Sequence, residues 1–169
     1  MSPIPDGLTL LTNYRVEEFI ALTPLGDLYR ATDIRSNKLL ALTLLPKTVS
    51  ENAERLKAIE NESAKLRGIS HPHLASYHGL FQTPTEAFLL EDWVDGPSLR
   101  DVLKRAPLGV NEALIHVKAL CRALEALHKQ NYLHLHLAPE LIRINQRGET
   151  VATYNPMRMV KGRDAHAAN

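Results

Sequence analysis

The first half of the chain alternates short apolar segments with turn-forming residues. Segments rich in branched and aromatic residues cover positions 14–22, 27–33, 38–45, 74–82 and 87–93. Neighbouring segments are separated by Thr23-Pro24, by Arg35-Ser36-Asn37 and by Thr83-Pro84-Thr85, which are typical of turns. The pattern predicts three antiparallel strands followed by a further strand pair, five strands in all.

A helical pattern lies between the third and fourth predicted strands. Ser50 is a suitable cap for the helix start, and Glu51 and Glu54 lie near its positive end. The helix is predicted to run to about Arg67, just before Gly68. Its predicted stripe consists of Leu56, Ile59, Ser63 and Leu66.

The second half predicts helices and one short strand pair. A short helix is expected to reach about Arg105, and a long one covers residues 111–130. The spacing on the long helix predicts an apolar face made of Leu114, Val117, Leu120, Cys121, Leu124 and Leu127. Its other side is apolar or small, so we expect contacts on two sides. Residues 141–145 and 150–154 predict two strands around a turn at Gln146-Arg147-Gly148.

Composition narrows the function classes. The 169 residues are 44% hydrophobic, which predicts a single domain with one substantial core, either undivided or made of two small lobes. Twenty basic and 19 acidic residues give no sign of nucleic-acid binding. No signal peptide or membrane span is predicted, since no window approaches about eighteen apolar residues. The single cysteine, Cys121, indicates a reducing compartment and a buried thiol, so a cytoplasmic location is expected.

Five segments stand out along the chain, in the order YRVEEFIALTPLGDLYRATD, LLALTLLP, HPHLASYHG, LEDWVDGPSLRDVL and ALEALHKQNYLHLHLAPELIRIN. In this order they resemble the front half of a eukaryotic-type protein kinase. The resemblance implies an α+β, protein-kinase-like fold, with a five-stranded antiparallel N-lobe sheet, one helix and a truncated helical C-lobe. The implied divisions are an extension (1–12), a kinase-like domain (13–157) and a tail or linker (158–169). Within that domain the N-lobe covers 13–91, the hinge 92–97 and the partial C-lobe 98–157.

The resemblance also assigns the nucleotide site, where this chain departs from the family. Kinases fold a G-x-G-x-x-G loop over the phosphates, but residues 21–26 keep only the last glycine and contain Pro24, which lacks an amide hydrogen. The phosphate-binding lysine is replaced by Thr43. The substitute cation considered is Arg30, which flanks Tyr29 in a predicted strand and is expected to face away from the site.

The acidic partner of that lysine corresponds to Glu62, which is expected either to be solvated or to have a new basic partner. Glu91 corresponds to a usually apolar position at the back of the adenine pocket, unless the register shifts by one to Leu90. A carboxylate there would repel phosphate. The vestigial pocket implied by the resemblance consists of Leu28, Ala41, Glu62, Glu91 and Ile142.

The segment HLHLAPEL corresponds to the catalytic loop, H-R-D-L-K-P-E-N in the family. Leu135, His136, Ala138 and Leu141 replace the arginine, the catalytic aspartate, the lysine and the magnesium-binding asparagine. Asn155 stands where the family has its main magnesium carboxylate. No catalytic residue and no metal ligand are therefore predicted with the family's own side chains. A zinc site from Cys121, His128, His134 and His136 has suitable ligand types, but its spacing fits no common pattern.

These replacements lead us to expect a truncated pseudokinase that is not an enzyme, needs no cofactor and acts by binding another protein or itself. The expected contact surface is the long helix and the loop after it, at Ile115, Ala119, Leu135 and Leu137, because large exposed apolar patches mark association sites. Two alternatives remain open. One is a nucleotide sensor that works without metal, and the other is an enzyme with rewired chemistry in which His136 is the base.

Overall fold

The computed structural model describes residues 9–10, 13–23, 25–154 and 160–161. The strands are β1 (Thr9–Leu10), β2 (Tyr14–Thr23), β3 (Gly26–Asp33), β4 (Lys38–Leu44), β5 (Tyr77–Gln82), β6 (Ala87–Asp92), β7 (Tyr132–Leu133), β8 (Ile142–Ile144), β9 (Thr150–Ala152) and β10 (Val160–Lys161). The helices are α1 (Lys47–Ser50), α2 (Ala53–Ser63), α3 (Leu99–Arg105) and α4 (Val110–Lys129). Short 3-10 helices cover Ala64–Gly68 and Pro139–Leu141.

The chain forms two compact units. The first unit contains residues up to Ala64 together with Tyr77–Trp93, and the second contains Lys65–Ser76 and the residues from Val94 onward. The domain boundaries proposed from the sequence stay predictions. Within the predicted extension (1–12) and tail (158–169), the structure describes the strands β1 and β10. The other residues of these two segments lie outside the described residues.

An antiparallel sheet with the order β1-β2-β3-β4-β6-β5 forms the first unit. The predicted five antiparallel strands are confirmed. The two-residue strand β1 was not predicted and adds a sixth. Alternation along the strands sends one set of side chains into a shared core: Val16, Tyr29, Ala31, Leu40, Leu42, Leu44, Phe88 and Leu90. Tyr14 and Phe81 pack against this cluster at its edge.

The helical segment after β4 differs from its predicted form. Ser50 is not the cap, because it ends the one-turn helix α1, and α2 starts separately. Asn52 caps α2 through its side-chain oxygen, which accepts from the Arg55 amide at 3.0 Å. The predicted stripe is confirmed, since Leu56, Ile59, Ser63 and Leu66 are all buried.

In the second unit, α4 packs against β7 and β9, while α3 packs against β8 and the Pro139–Leu141 turn. The strand pair β8–β9 is antiparallel, as predicted, with Ile142 opposite Ala152. A capping box at Ser98 and Asp101 starts α3, with Ser98 Oγ accepting from the Asp101 amide at 3.1 Å.

The buried face of α4 agrees with the predicted one only at Leu127. Its buried residues are His116, Ala119, Ala123 and Leu127, whereas Leu114 and Val117 are about half exposed. Cys121 is also exposed, so the expectation of a buried thiol is wrong. Both sides of the helix carry apolar residues, and the side with alanines packs inward because small side chains allow the neighbouring strands to approach closely.

Among the described residues, no helix is both long and apolar enough to cross a bilayer.

Candidate functional site

The turn between β2 and β3 lies where the resemblance placed the phosphate-binding loop. Thr23 and Gly26 are paired directly, so the turn is a tight hairpin. The Thr23 hydroxyl donates to the Gly26 carbonyl at 2.8 Å and accepts from the Leu25 amide at 3.2 Å. The Thr23 hydroxyl and the Leu25 amide are therefore already used within the turn. Pro24 lies outside the described residues.

Four candidate residues share one face of the first unit's sheet. Thr43 lies directly opposite Leu28, and Ala41 lies directly opposite Glu91. Because alternate residues of a strand point to the same side, all four lie on one face. Leu90 belongs to the core cluster on the other face. The strand register therefore places Glu91, and not Leu90, beside Ala41.

Two further charged candidates belong to the same unit. Arg30 lies opposite Ala41, hence on the face just described, and its guanidinium pairs with Glu18 at 2.9 Å. The interpretation that Arg30 points away from this face is wrong, because the register of β3 against β4 decides the side. Glu62 lies in α2, but its side chain is outside the described part of the structure.

Residues 134–141, in the second unit, form an irregular loop with one strained position. Leu135 has a φ of 46°, which is uncommon for a residue other than glycine or asparagine. The His136 amide donates to the His134 carbonyl at 2.6 Å, which closes a three-residue turn around Leu135. His136 is half-buried, and Ala138 precedes the 3-10 turn that ends at Leu141.

Hydrogen bonds from one residue fasten both ends of this loop. His134 Nε2 donates to the Thr153 carbonyl at 2.9 Å. The Thr153 amide and hydroxyl donate to the Leu141 carbonyl at 2.8 Å and 3.1 Å. Burial lowers the pKa of His134 below its ordinary value, although the Thr153 carbonyl opposes that shift. The other ring nitrogen, Nδ1, is buried without a hydrogen-bond partner among the described residues.

A second histidine network lies behind the β8–β9 pair and was not found from the sequence. His116 Nδ1 and the Thr150 hydroxyl are 2.7 Å apart, and His73 Nδ1 donates to the Thr150 carbonyl at 2.9 Å. Thr150 is 1% exposed, so this network is internal. Neither Thr150 nor Thr153 belongs to a local motif, and no pattern in the sequence singles them out.

The remaining candidates divide by exposure and by unit. Ile115, Leu135 and Leu137 are exposed by 62%, 56% and 40%. Ala119 is buried, so its proposed role in a contact surface is wrong, because it faces the packed side of α4. Ile142 is buried in β8 of the second unit. Asn155 lies outside the described residues.

Residues 14–154 match the family model described as the protein kinase domain. The serine/threonine-protein kinase PknA of Mycobacterium tuberculosis is 28% identical over 153 residues, which cover 87% of this chain and 36% of that protein. The serine/threonine-protein kinase pkn2 of Myxococcus xanthus is 26% identical over 147 residues, covering 86% of this chain and 18% of that protein. The chain thus spans about a third or less of the length of these curated relatives.

A solved structure shares the fold. The crystal structure of the M. tuberculosis PknI kinase domain superposes with a TM-score of 0.80 at 21% identity, covering 92% of this chain and 62% of that one. The protein-kinase-like fold class predicted from the sequence is confirmed.

The comparisons contradict the expectation of a non-enzymatic pseudokinase, because the matched relatives are named serine/threonine-protein kinases. That expectation counted side chains at motif positions. Such a count does not establish inactivity, because another group in the same loop can supply the same chemistry, and an imidazole at position 136 is a proton acceptor. The chain belongs to the protein kinase domain family.

Proposed function

We propose that this chain is part of a serine/threonine protein kinase, which transfers a phosphoryl group from a nucleoside triphosphate to a hydroxyl group of a protein substrate. The observation that carries the proposal is the family match over residues 14–154. The names of the relatives support the substrate class. The proposal concerns the whole protein, since the chain spans 36% of PknA.

In this proposal the sheet face of the first unit receives the nucleotide. Leu28 and Ala41 provide apolar surface, which suits the flat face of a base. Arg30 is a cation on the same face, and its partner Glu18 is 53% exposed, so the pair is solvated and can exchange partners at small cost. Arg30 is therefore the side chain that we assign to balancing the charge of the phosphates.

His136 is the residue that we assign to proton transfer. Phosphoryl transfer to a hydroxyl releases the hydroxyl proton, and a neutral imidazole accepts protons near neutral pH. The side chain is half-buried, and the turn closed by its own amide fixes its backbone. A fixed base loses less orientational entropy when it meets its substrate than a mobile one.

Leucine and asparagine occupy the two positions at which the family holds magnesium. Magnesium prefers carboxylate and carbonyl oxygens. Leu141, at one family position, has no oxygen in its side chain. The other position, Asn155, lies outside the described residues.

A phosphate-transfer assay tests the proposal. The purified chain is incubated with γ-labelled ATP and a basic acceptor protein, and labelled serine and threonine are measured. We expect transfer by the wild type and a loss of roughly 10² to 10⁴ in rate for His136→Ala, as for a general base. His128→Ala is the matched control, because His128 is an exposed histidine of α4, and its rate should stay unchanged. An unaffected His136→Ala would contradict the assignment of His136. Absence of transfer by the wild-type chain would contradict the proposal that these residues carry the activity.

We also propose that the exposed apolar residues of the second unit contact another protein chain, with a second copy as the occupant that is simplest to test. Support comes from the exposure of Ile115, Leu135 and Leu137, since exposed apolar side chains favour association. Sedimentation at several concentrations should show a mass that rises with concentration, and Ile115→Asp should abolish the rise. A wild-type monomer at every concentration would exclude the second copy.

A further inference from the structure

The loop 134–141 contains a conformation that cannot persist unaided. A leucine with positive φ is strained, and such a conformation persists only where the surrounding structure holds it. Here the strained residue, Leu135, is 56% exposed, so burial of its own side chain does little to hold it in place. The restraint has to act on the neighbours of Leu135.

Thr153 provides that restraint at both ends of the loop. Its carbonyl accepts from His134, immediately before the strained residue. Its amide and hydroxyl both donate to the Leu141 carbonyl, at the last residue of the loop. One residue thus binds the two ends of an eight-residue loop with three hydrogen bonds.

Thr153 is itself attached to a rigid part of the second unit. The preceding residue, Ala152, is fully buried and pairs with Ile142 in β8. The Ala152 amide donates to the His73 carbonyl, and its carbonyl accepts from the Ala75 amide, both at 2.9 Å. The residue after Thr153, Tyr154, is 3% exposed. Thr153 therefore lies between two buried residues, and the one before it is held by backbone hydrogen bonds.

We propose that Thr153 is a positioning residue whose hydroxyl holds the loop 134–141 in the conformation that carries His136. Valine has nearly the same shape as threonine but lacks the hydroxyl, and serine keeps the hydroxyl, so the two replacements separate hydrogen bonding from packing. The consequence for turnover rests on the proposed function. The effect on the loop does not.

Hydrogen exchange at the His136 amide measures how firmly Thr153 holds the loop, because this amide closes the turn around Leu135. We expect Thr153→Val to speed its exchange by roughly two- to tenfold, the weight of one net hydrogen bond. Thr153→Ser should restore protection to the wild-type level. Equal exchange in all three proteins, at unchanged melting temperature, would overturn the proposal.

The phosphate-transfer assay gives the second readout. We expect Thr153→Val to lower kcat by a similar factor with KM unchanged, since the nucleotide face lies in the other unit, and Thr153→Ser to recover kcat. If the wild type shows no transfer, the proposed function is wrong. Hydrogen exchange then still decides whether the Thr153 hydroxyl holds the loop 134–141. If exchange changes as expected but kcat does not, Thr153 holds the loop without positioning a catalytic group, and the positioning role is wrong.

Discussion

The sheet face of the first unit and the loop 134–141 of the second unit obtain their geometry in different ways. Leu28, Ala41 and Thr43 share a face because the ladder of backbone hydrogen bonds leaves no other arrangement. The loop has no ladder. It contains a strained residue, and it is held by hydrogen bonds with Thr153 and by the packing of Pro139–Leu141 against α3. A regular element is therefore expected to tolerate the loss of one polar contact, whereas the loop is not.

The largest expected effect concerns one glycine in each unit. Gly26 and Gly96 have φ values of 144° and 146°, and a Cβ on either would overlap a backbone carbonyl oxygen, that of Leu44 or Ile144. An alanine adds both the overlap and an unfavourable φ, so Gly26→Ala and Gly96→Ala should each lower the free energy of unfolding by about 3 kcal/mol or more. Chemical denaturation measures the loss.

Gly68→Ala is the control for these two variants. A Cβ at Gly68 meets nothing within 4 Å, and Gly68 is exposed. Its replacement should change the free energy of unfolding by less than about 0.5 kcal/mol. If Gly26→Ala lowered the free energy of unfolding as little as Gly68→Ala, then Gly26 would not lie as close to the Leu44 carbonyl as described.

A smaller effect is expected from acidification, and it should act through the loop. The ordinary pKa of a histidine is 6.5, and burial lowers the pKa of His134 in the folded protein. Below pH 6.5 the unfolded chain therefore binds a proton that the folded chain resists, so stability is lost as the pH falls from 6.5 toward the folded pKa. The unfolding free energy measured between pH 7.5 and pH 5 should decrease in that direction.

Replacement of His134 sharpens this test. His134→Gln keeps a side-chain N–H donor for the Thr153 carbonyl and removes the titration, so its stability should depend less on pH than that of the wild type. Some dependence should remain, because burial also lowers the pKa of His71. His128→Gln, at an exposed position, should keep the full slope. An unchanged slope in His134→Gln would show that the loop histidine is not the group that titrates.

The regular sheet was predicted from the sequence, whereas the packing of α4 was not. Short segments rich in branched and aromatic residues, separated by turn-forming residues, predicted the sheet. The pairs that share a face then follow from strand register. The buried face of α4 was mispredicted, because Leu114 and Val117 carry as much apolar character as the side on which Ala119 and Ala123 pack. Hydropathy alone cannot decide between two apolar sides when the neighbouring strands prefer small residues.

The candidate site was predictable only where a motif position survives. The kinase resemblance located Ala41, Thr43 and His136, and the structure shows where each lies within its own unit. Thr153 and Thr150 act through hydrogen bonds to residues distant in sequence, and such contacts leave no local pattern. The inference from replaced motif residues to inactivity was wrong because it treated each position as irreplaceable.

The central claim is that the sheet face of the first unit receives a nucleotide as part of a protein kinase. Nuclear magnetic resonance of the methyl groups, recorded while ATP is added to the intact chain, tests this claim most directly. We predict saturable shifts at Leu28, Ala41 and Thr43, with little change at Leu42 and Leu90 in the core on the opposite face. Spectra of a folded chain that stay unchanged up to millimolar ATP would contradict the account.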